Sequence, residues 1–382
     1  MRKRKVVILG STGSIGINTL KVLDRLPQRF EVEGLTANNN IELLSRQIKR
    51  FKPKFVACNK EKIVDRKGLG LPKRTRFFDV TEVSQLVESC EADIFVLAIS
   101  GGAALAPFLA AAKKGARIAP ANKEALVMAG TIIMETTKKY GATIIPIDSE
   151  QSAIFQCLEG RNRSGLKKIL LTASGGPLNR MAKSKFPRLS VQQILKHPRW
   201  KMGKKITVDS ATLINKGFEV IEAKMLFGLG TEQIEVVIHP EALIHSMTEF
   251  QDGSILAQLG VTDMRLPIQY ALTYPDRLDS GLPVMDFGRV RQLTFETPDE
   301  RRFPCLGLAF FCARQGGTLP CVLNAADEIA VNAFLQGTMD FTDIYTVVEK
   351  VVNKHRNRLN PQLKDILAAD TWARQAARNL IK

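Results

Sequence analysis

The sequence predicts an α/β protein with a doubly wound parallel sheet first, an α/β region carrying an open sheet next, and a helical bundle last. Three observations support this expectation. In the first part of the chain, short apolar runs alternate with segments of helical periodicity, as in a parallel sheet covered on both faces. A glycine-rich segment follows the first apolar run. Near the end of the chain, helical periodicity continues without strand signals.

The first predicted strand, Lys5–Leu9, leads into glycines at 10, 13 and 16 and then into a helix. Glycines here permit a tight turn and close approach of the backbone to a pyrophosphate, and the helix N-terminus offers free N–H groups. The spacing G-x-x-G-x-x-G differs from the usual G-x-G-x-x-G, and a glycine-rich turn without a ligand is the alternative. We expect a Rossmann-like domain whose ligand lies beyond the carboxyl ends of the strands.

Further elements of this domain alternate in the same way. The later strands are predicted at Glu31–Thr36, Phe55–Cys58, Asp93–Ile99, Ala116–Ala119 and Ala142–Ile147, and the helices at Ser14–Leu26, Ile41–Phe51, Glu82–Cys90, Ala103–Lys114 and Lys123–Tyr140. After the second strand, the turn Leu35–Asn40 lacks the Asp or Glu that holds the ribose 2′-hydroxyl of NAD. The missing carboxylate favours NADP, and the turn itself contains no Arg or Lys.

At 382 residues the chain exceeds the roughly 250–300 residues that one hydrophobic core serves. Strands are predicted at 165–173, Glu235–His239, Met247–Phe250 and Ile255–Leu259, and helices at Leu306–Gln315, Asn324–Gln336, Phe341–Lys354 and Leu363–Leu380. The stretch Gly281–Glu300 is rich in Pro, Gly and charge, as linkers are. We expect a dinucleotide-binding domain at 1–148, a catalytic domain at 149–282, a linker at 283–305 and a helical domain at 306–382.

Composition narrows the possible partners. The formal net charge of +17 would suit nucleic acid, anionic lipid or phosphorylated small molecules. The basic residues are scattered, without zinc-finger spacing, aromatic RNA-binding motifs or heptads, so we expect a phosphorylated small-molecule substrate and no nucleic-acid partner. No apolar run approaches the roughly 18–20 residues of a membrane span, so we expect a cytoplasmic protein with no membrane partner. The six cysteines include no C-x-x-C pair and are expected to be buried free thiols.

Candidate metal ligands occur at two places. Asp148 and Glu150 are two residues apart at a predicted strand end, so both carboxylates can point the same way. Such hard oxygen ligands suit Mg²⁺ or Mn²⁺ rather than zinc. Asn215, Lys216 and Glu219 lie within about one helical turn, so Glu219 could join the metal beside two groups that grip phosphate or sugar hydroxyls. A strand end followed by a helix cap, and an ordinary amphipathic helix, are the alternatives.

Three loops are further candidates. Residues 174–176, Ser-Gly-Gly, offer a hydroxyl and open backbone N–H groups to an anion. The segment 197–205 combines His, Trp and Met with Gly and Pro, which is typical of a mobile lid that excludes water, although a basic surface loop is the alternative. Residues 122–124, Asn-Lys-Glu, follow a strand of the first sheet and face the same crevice, unless they only begin a helix.

Six motifs occur in one order: Gly10–Gly16, Ala121–Glu124, Ile147–Gln151, Ala173–Pro177, His197–Gly203 and Asn215–Glu219. In this combination the chain resembles the 1-deoxy-D-xylulose 5-phosphate reductoisomerase family, and the resemblance runs from end to end, including His239–Met247 and Leu323–Glu328. The resemblance implies an NADP-dependent oxidoreductase with an isomerase step, which makes 2-C-methyl-D-erythritol 4-phosphate for isoprenoid precursors. It also implies NADPH and a divalent metal (Mg²⁺, Mn²⁺ or Co²⁺) as cofactors, and a homodimer.

The same resemblance assigns the site residues. NADPH would be held by Thr12, Gly13, Ser14, Ile15, Asn38, Asn39, Asn40, Asn122, Glu124 and Gly203. The metal ligands would be Asp148, Glu150 and Glu219, which with Lys123 and His197 form the catalytic set. The substrate would be held by Lys123, Ser149, Glu150, Ser174, His197, Ser210, Asn215, Lys216 and Glu219, with Trp200 and Met202 as the lid over it. One departure is Asn39, because family members often carry Lys or Ser at this position.

Two other functions remain open at this level. Another NADP-dependent sugar-phosphate or semialdehyde reductase would share the first domain but would not require three metal-binding carboxylates. A nucleotide-sensing or nucleic-acid-binding protein would bind polyanions in a salt-sensitive manner and would show no turnover. Loss of activity on chelation separates the predicted enzyme from both.

Overall fold

The computed structural model describes residues 2–63, 69–196 and 203–381. The chain forms two compact units. The first consists of Met1–Ala125, Ile133–Ser152 and Asp263–Leu282, and the second of Leu126–Ile132, Ala153–Thr262 and Pro283–Lys382. Among the described helices, none is both long enough and apolar enough to cross a membrane.

The first unit is built on a parallel sheet of seven strands. The strands are β1 (Arg4–Leu9), β2 (Phe30–Thr36), β3 (Phe55–Cys58), β4 (Arg76–Asp79), β5 (Ile94–Leu97), β6 (Arg117–Pro120) and β7 (Thr143–Ile144), in the spatial order β4-β3-β2-β1-β5-β6-β7. The helices between them are α1 (Ser14–Arg25), α2 (Ile41–Phe51), α3 (Val83–Ser89), α4 (Leu105–Lys113) and α5 (Glu124–Tyr140). The predicted doubly wound, Rossmann-like sheet is confirmed.

The strand order reverses at β1, which pairs with β2 on one side and with β5 on the other. Its residues Val6 to Leu9 are completely buried, as expected for a central strand with helices on both faces. In such sheets a ligand binds where the order reverses, beyond the carboxyl ends of the strands. The glycine-rich turn that follows β1 therefore lies at the expected ligand position.

Two details of this sheet differ from the sequence-based expectation. The predicted last strand, Ala142–Ile147, pairs regularly only over Thr143–Ile144, although the amide of Ile145 still donates to the carbonyl of Ile118 at 2.9 Å. Strand β4 was not predicted, because this four-residue edge strand begins with Arg76 and ends with Asp79, and only Phe78 in it is buried, so it lacks the apolar run that revealed β3.

The second unit contains a mixed sheet of four strands. The strands are β8 (Leu166–Ala173), β9 (Ile234–Ile238), β10 (Ile244–Phe250) and β11 (Ile255–Leu259), in the spatial order β11-β10-β8-β9. Strands β8 and β9 are parallel, and β10 is antiparallel to both β8 and β11. This confirms the predicted α/β region with an open sheet.

The remaining helices complete the chain. They are α6 (Ser149–Leu158), α7 (Val191–Ile194), α8 (Lys204–Thr212), α9 (Ile214–Phe227), α10 (Arg265–Thr273), α11 (Pro304–Gln315), α12 (Leu319–Leu335), α13 (Asp343–Lys354) and α14 (Leu363–Ile381). Helices α11 to α14 form the predicted C-terminal bundle. Helix α12 begins five residues before its predicted start at Asn324, because Pro320 lies in the first turn, where its missing N–H costs nothing.

The second unit has one hydrophobic core that includes residues of both the sheet and the C-terminal bundle. Ile169 of β8, Phe218 of α9, Leu323 of α12 and Ala373 of α14 belong to the same buried cluster. Because close-packed interiors transmit small displacements, the helices of the bundle can fix the position of α8 and α9.

Candidate active site

The turn after β1 depends on two of its three glycines for packing. Gly10 has φ +95°, and a Cβ there would lie 2.4 Å from the carbonyl oxygen of Ala98. A Cβ on Gly16 would lie 2.3 Å from the carbonyl oxygen of Gly10. Gly13 is exposed, and a Cβ there would meet nothing closer than 3.5 Å. Gly13 is therefore not required for packing. Its lack of a side chain leaves the backbone open to solvent at the start of α1, where a phosphate can approach.

The buried side chains of Gln47 and Thr36 hold this turn, and neither was identified from the sequence. The Ser11 hydroxyl donates to Gln47 Oε1 at 2.7 Å, and Gln47 Nε2 donates to the Ser11 carbonyl at 2.9 Å. On the other side, the Gly10 amide donates to Thr36 Oγ1 at 2.9 Å. No sequence signal links Ser11 to a glutamine 36 residues away in α2.

The turn after β2 contains the three predicted asparagines, all of them exposed. Asn40 has a structural role, because its side chain accepts a hydrogen bond from the Leu43 amide at 3.0 Å and caps α2. The Asn39 side-chain oxygen accepts a hydrogen bond from Lys62 Nζ.

The predicted segment 122–124 follows β6 and begins α5. Asn122 Oδ1 accepts a hydrogen bond from the Ala125 amide at 3.2 Å, and Asn122 Nδ2 donates to the Ile99 carbonyl at 2.5 Å. The side chain of Lys123 is buried, and its ammonium lies 2.7 Å from Asp148 Oδ2. Glu124 is the first residue of α5.

Asp148 and Glu150 lie at the start of α6 and not at the end of a strand, but carboxylate oxygens of the two lie within 4.8 Å of each other, as their spacing predicts. Asp148 directly precedes α6, where its carbonyl accepts a hydrogen bond from the Ser152 amide at 2.8 Å, and Glu150 lies in the first turn of that helix. The Ser149 hydroxyl donates to Glu150 Oε2 at 2.5 Å. Two carboxylates at a helix N-terminus are stabilised in their charged form by the helix dipole.

In the second unit, Glu219 is 1% exposed and lies on α9 with Asn215 and Lys216. Asn215 Nδ2 donates to Glu219 Oε1 at 2.6 Å, and Lys216 Nζ contacts Glu219 Oε2. Lys216 Nζ also donates to the Thr172 carbonyl of β8 at 2.6 Å. A buried carboxylate requires such partners, and the three side chains share one helix face, as their spacing predicts.

Ser174 and Ser210 are also brought together in the second unit. The loop after β8 carries Gly175 at φ +81° and Gly176 at φ +64°, and the Gly176 amide donates to Ser174 Oγ at 3.4 Å. A Cβ on Gly176 would lie 2.5 Å from the Ser210 carbonyl oxygen, so this loop packs directly against the C-terminal turn of α8. The serines, Asn215 and Lys216 thus lie around the carboxyl end of β8.

The predicted lid is only partly covered by the structure. His197, Trp200 and Met202 lie outside the described residues. Gly203 is exposed and is the N-cap of α8, so the segment leads directly into the helix that carries Ser210.

A buried ion-pair cluster at the start of α8 was not predicted. Lys205 Nζ lies 2.6 Å from Asp209 Oδ2 and 2.7 Å from Asp327 Oδ2 of α12. Both aspartates are buried, and the Lys205 ammonium lies 4.9 Å from the centre of the Phe218 ring. The only sequence signal was the stretch Leu323–Glu328, to which no role was assigned.

The cysteines are free and buried, as predicted. Burial raises the pKa of the Cys58 thiol to about 11, which keeps it protonated and unreactive at neutral pH. Burial also raises the pKa of Cys305, and the nearby Asp327 and Asp209 raise it further. His239 is fully buried, and its Nε2 accepts a hydrogen bond from the Leu243 amide at 3.2 Å, a structural role rather than a metal site.

Comparisons with known proteins agree along the whole chain. The family profile for 1-deoxy-D-xylulose 5-phosphate reductoisomerase matches residues 6–130, and that for its C-terminal domain matches residues 144–227. A profile described as the DXP reductoisomerase C-terminal domain matches residues 259–376. Proteins named 1-deoxy-D-xylulose 5-phosphate reductoisomerase from Pelotomaculum thermopropionicum and Bacteroides fragilis are 49% and 45% identical, with at least 99% of each chain covered.

Solved structures give the same result. The reductoisomerase from Zymomonas mobilis in complex with NADPH is 39% identical, with a TM-score of 0.93 and complete coverage of both chains. A DOX-P reductoisomerase in complex with NADPH, fosmidomycin and magnesium is also 39% identical, with a TM-score of 0.92 over 99% of this chain and 98% of that one.

Proposed function

The chain belongs to the 1-deoxy-D-xylulose 5-phosphate reductoisomerase family, and we propose which of its residues bind the cofactor, the metal ion and the substrate for one rearrangement and one reduction. The protein is an NADPH-dependent oxidoreductase that converts 1-deoxy-D-xylulose 5-phosphate to 2-C-methyl-D-erythritol 4-phosphate with the help of a divalent metal ion. The end-to-end similarity to relatives of that name is the observation that carries this conclusion.

The glycine-rich turn and its neighbours are proposed to hold NADPH, which supplies hydride when bound. Thr12, Gly13, Ser14 and Ile15 would bind the pyrophosphate at the start of α1, because Gly13 leaves the backbone open there. Asn38 and Asn39 would face the adenosine ribose, and Asn122, Glu124 and Gly203 would make the other contacts. Ser11 and Gln47 keep the turn in place without touching the cofactor.

We propose that Asp148, Glu150 and Glu219 hold the metal ion. Each offers one carboxylate oxygen to an ion, and such a set fits Mg²⁺ or Mn²⁺. A bound ion supplies Lewis-acid polarisation of the substrate's carbonyl and hydroxyl oxygens. Lys123 beside Asp148 and Lys216 beside Glu219 balance two of these charges and orient the carboxylates.

The phosphate of the substrate is proposed to bind in the second unit. Hydroxyl, amide and ammonium donors lie around the end of β8, on Ser174, Ser210, Asn215 and Lys216. Backbone N–H groups of the loop at Gly175 and Gly176 would donate to the same phosphate. Ser149 and Lys123 would contact the sugar. His197, Trp200 and Met202 would close over it and exclude water, which protects the aldehyde intermediate before reduction.

The remaining proposals concern organisation. We propose that residues 1–148 form the cofactor-binding domain, that residues 149–282 carry the substrate and metal groups, and that residues 306–382 support them after the linker at 283–305. A homodimer and a cytoplasmic location are proposed from the family resemblance, and sedimentation of the purified chain tests the first.

The proposed function is tested by following NADPH oxidation with 1-deoxy-D-xylulose 5-phosphate, with excess chelator and after addition of Mg²⁺, Mn²⁺ or Co²⁺. We expect activity only with metal, and the branched methylerythritol phosphate as product. Glu219→Gln should abolish turnover, while the exposed Glu232→Gln in the same unit should not. Turnover in chelator, or a linear reduced sugar as product, would contradict the proposal and favour a simple reductase.

A further inference from the structure

The turn after β2 contains no basic residue of its own, but Lys62 from another segment places a cation beside it. Lys62 ends the one-turn helix Lys60–Lys62, which follows β3. Its ammonium donates a hydrogen bond to the side-chain oxygen of Asn39. An NADP-binding site requires a cation near the end of the second strand, where the adenosine ribose lies.

The sheet explains how a residue 23 positions away reaches this turn. Strands β2 and β3 are parallel neighbours, with Thr36 opposite Ala57. The Ala37 amide continues the pairing by donating to the Ala57 carbonyl at 3.0 Å. Because the carboxyl ends of parallel neighbours meet at one edge, the segment after β3 lies beside the turn after β2.

The two lysines of the one-turn helix differ in their partners. Lys60 Nζ lies 3.2 Å from Glu82 Oε2, so its charge is neutralised. Lys62 contacts a neutral amide, and in the described part of the chain no carboxylate lies within ion-pair distance of it. The turn Leu35–Asn40 also contains no carboxylate to compete for the ammonium. An exposed cation beside the ribose position, without a carboxylate partner among the residues that the structure describes, is suited to bind a phosphate dianion.

We propose that Lys62 recognises the 2′-phosphate of NADPH and thereby sets the preference for NADPH over NADH. The inference rests on the proposed function, because it assumes that the adenosine ribose binds at this turn. Lys62, in the segment after β3, supplies the cation that a basic residue at position 39 would otherwise provide. Since the ammonium is exposed, its contribution is reduced by salt.

The test compares Lys62→Met with two matched variants. Lys60→Met removes a lysine of the same one-turn helix whose charge is already paired, and Lys62→Arg keeps the cation. Calorimetry measures binding of adenosine 2′,5′-bisphosphate and of AMP, which differ in the 2′-phosphate, and NADPH and NADH binding is followed by fluorescence. These readouts require neither metal nor turnover.

We expect Lys62→Met to weaken binding of the bisphosphate and of NADPH by about tenfold while AMP and NADH binding stay unchanged. The difference should shrink at high salt, Lys60→Met should resemble the unmodified chain, and Lys62→Arg should retain most of the discrimination. Equal weakening of all four ligands, or no change, would overturn the role of Lys62 while leaving the proposed function intact. If the unmodified chain bound no NADPH, the proposed function itself would fail.

Discussion

Lys205 and Asp327 are 122 residues apart in the chain, yet the Lys205 ammonium lies 2.7 Å from Asp327 Oδ2. Asp327 is completely buried on α12, and the same ammonium lies 2.6 Å from Asp209 on α8. Helix α8 begins just after the proposed lid and carries Ser210. The ion pair therefore ties α8, the helix proposed to contact the substrate, to the C-terminal bundle.

The first prediction concerns this tie. Asp327→Asn removes the charge of a fully buried carboxylate, one of the two that pair with the Lys205 ammonium, and we expect a loss of about 1–3 kcal/mol in the free energy of unfolding. Because α8 loses its anchor, the KM for the sugar phosphate should rise by a larger factor than the dissociation constant of NADPH, which has only the proposed Gly203 contact on this helix. Urea unfolding and steady-state kinetics measure the two effects.

Glu328→Gln is the matched control, since it breaks the neighbouring ion pair with Arg374, which is partly exposed. We expect a loss of about 0–1 kcal/mol and no change in KM. If both variants raised KM equally, the bundle as a whole, rather than the Lys205 contact, would position α8.

The second prediction concerns the glycine-rich turn. Gln47→Leu leaves the buried Ser11 carbonyl without its side-chain partner and leaves the Ser11 hydroxyl only the Thr36 carbonyl, at 3.2 Å. We therefore expect the unfolding free energy to fall by about 1–3 kcal/mol and NADPH to bind several-fold more weakly. Equilibrium binding and urea unfolding provide the measurements. Arg46→Met, next to it on α2 but in an exposed pair with Glu42, should change neither quantity. A stability loss without weaker NADPH binding would restrict Gln47 to a role in folding.

Local sequence patterns predicted those helices and strands whose apolar periodicity lies entirely within the element. Helix α2 and strand β11 have their predicted bounds, because an amphipathic period and a short β-rich run can be recognised without knowledge of neighbours. Asp148 and Glu150 were expected at a strand end rather than at the start of α6, because the apolar run continues through Ile147 although regular strand pairing ends at Ile144.

The contacts that position the site could not be predicted in this way. Two such contacts join Gln47 with Ser11 and Lys205 with Asp327, and they form only when elements distant in the chain pack together. In the sequence, Gln47, Lys205 and Asp327 look like ordinary polar residues of helices. The contact between Asn39 and Lys62 shows the same limit, because Lys62 belongs to the segment after β3. Most of the residues that would bind ligands follow from motifs, whereas Lys62 and the residues that hold the site in place follow from topology.

The third prediction concerns pH. Burial lowers the pKa of His355, whose ring lies 4.9 Å from that of Trp372 and whose Nε2 lies 2.7 Å from Thr318 Oγ1. Below the unfolded-state pKa of about 6.5, the unfolded chain binds more protons at this site, so this contribution to stability is present above that pH and is lost as pH falls. The difference in unfolding free energy between the unmodified chain and His355→Gln should therefore shrink between pH 7.5 and 5.5, as urea titrations would show. A difference independent of pH would mean that His355 stabilises the fold by packing alone.

The last prediction separates backbone strain from close packing at the proposed phosphate site. Gly176 has φ +64°, and a Cβ there would lie 2.5 Å from the Ser210 carbonyl oxygen. Gly160 has nearly the same conformation, with φ +69°, but a Cβ there would meet nothing within 4 Å. Both alanine variants carry the cost of a left-handed residue, about 1–2 kcal/mol, so they should share that loss of stability.

Only Gly176→Ala forces the loop after β8 away from α8, which separates Ser174 on the loop from Ser210 on the helix. We expect its KM for the sugar phosphate to rise at least tenfold more than that of Gly160→Ala, because positioned donors lose most of their effect when displaced by about 1 Å. NADPH binding by both variants, followed by fluorescence, should match that of the unmodified chain, since Gly10, Gly13 and Gly16 lie in the other unit. If the two variants had equal KM values, the contact between this loop and Ser210 would not shape the phosphate site, and Ser174 would have to act independently of α8.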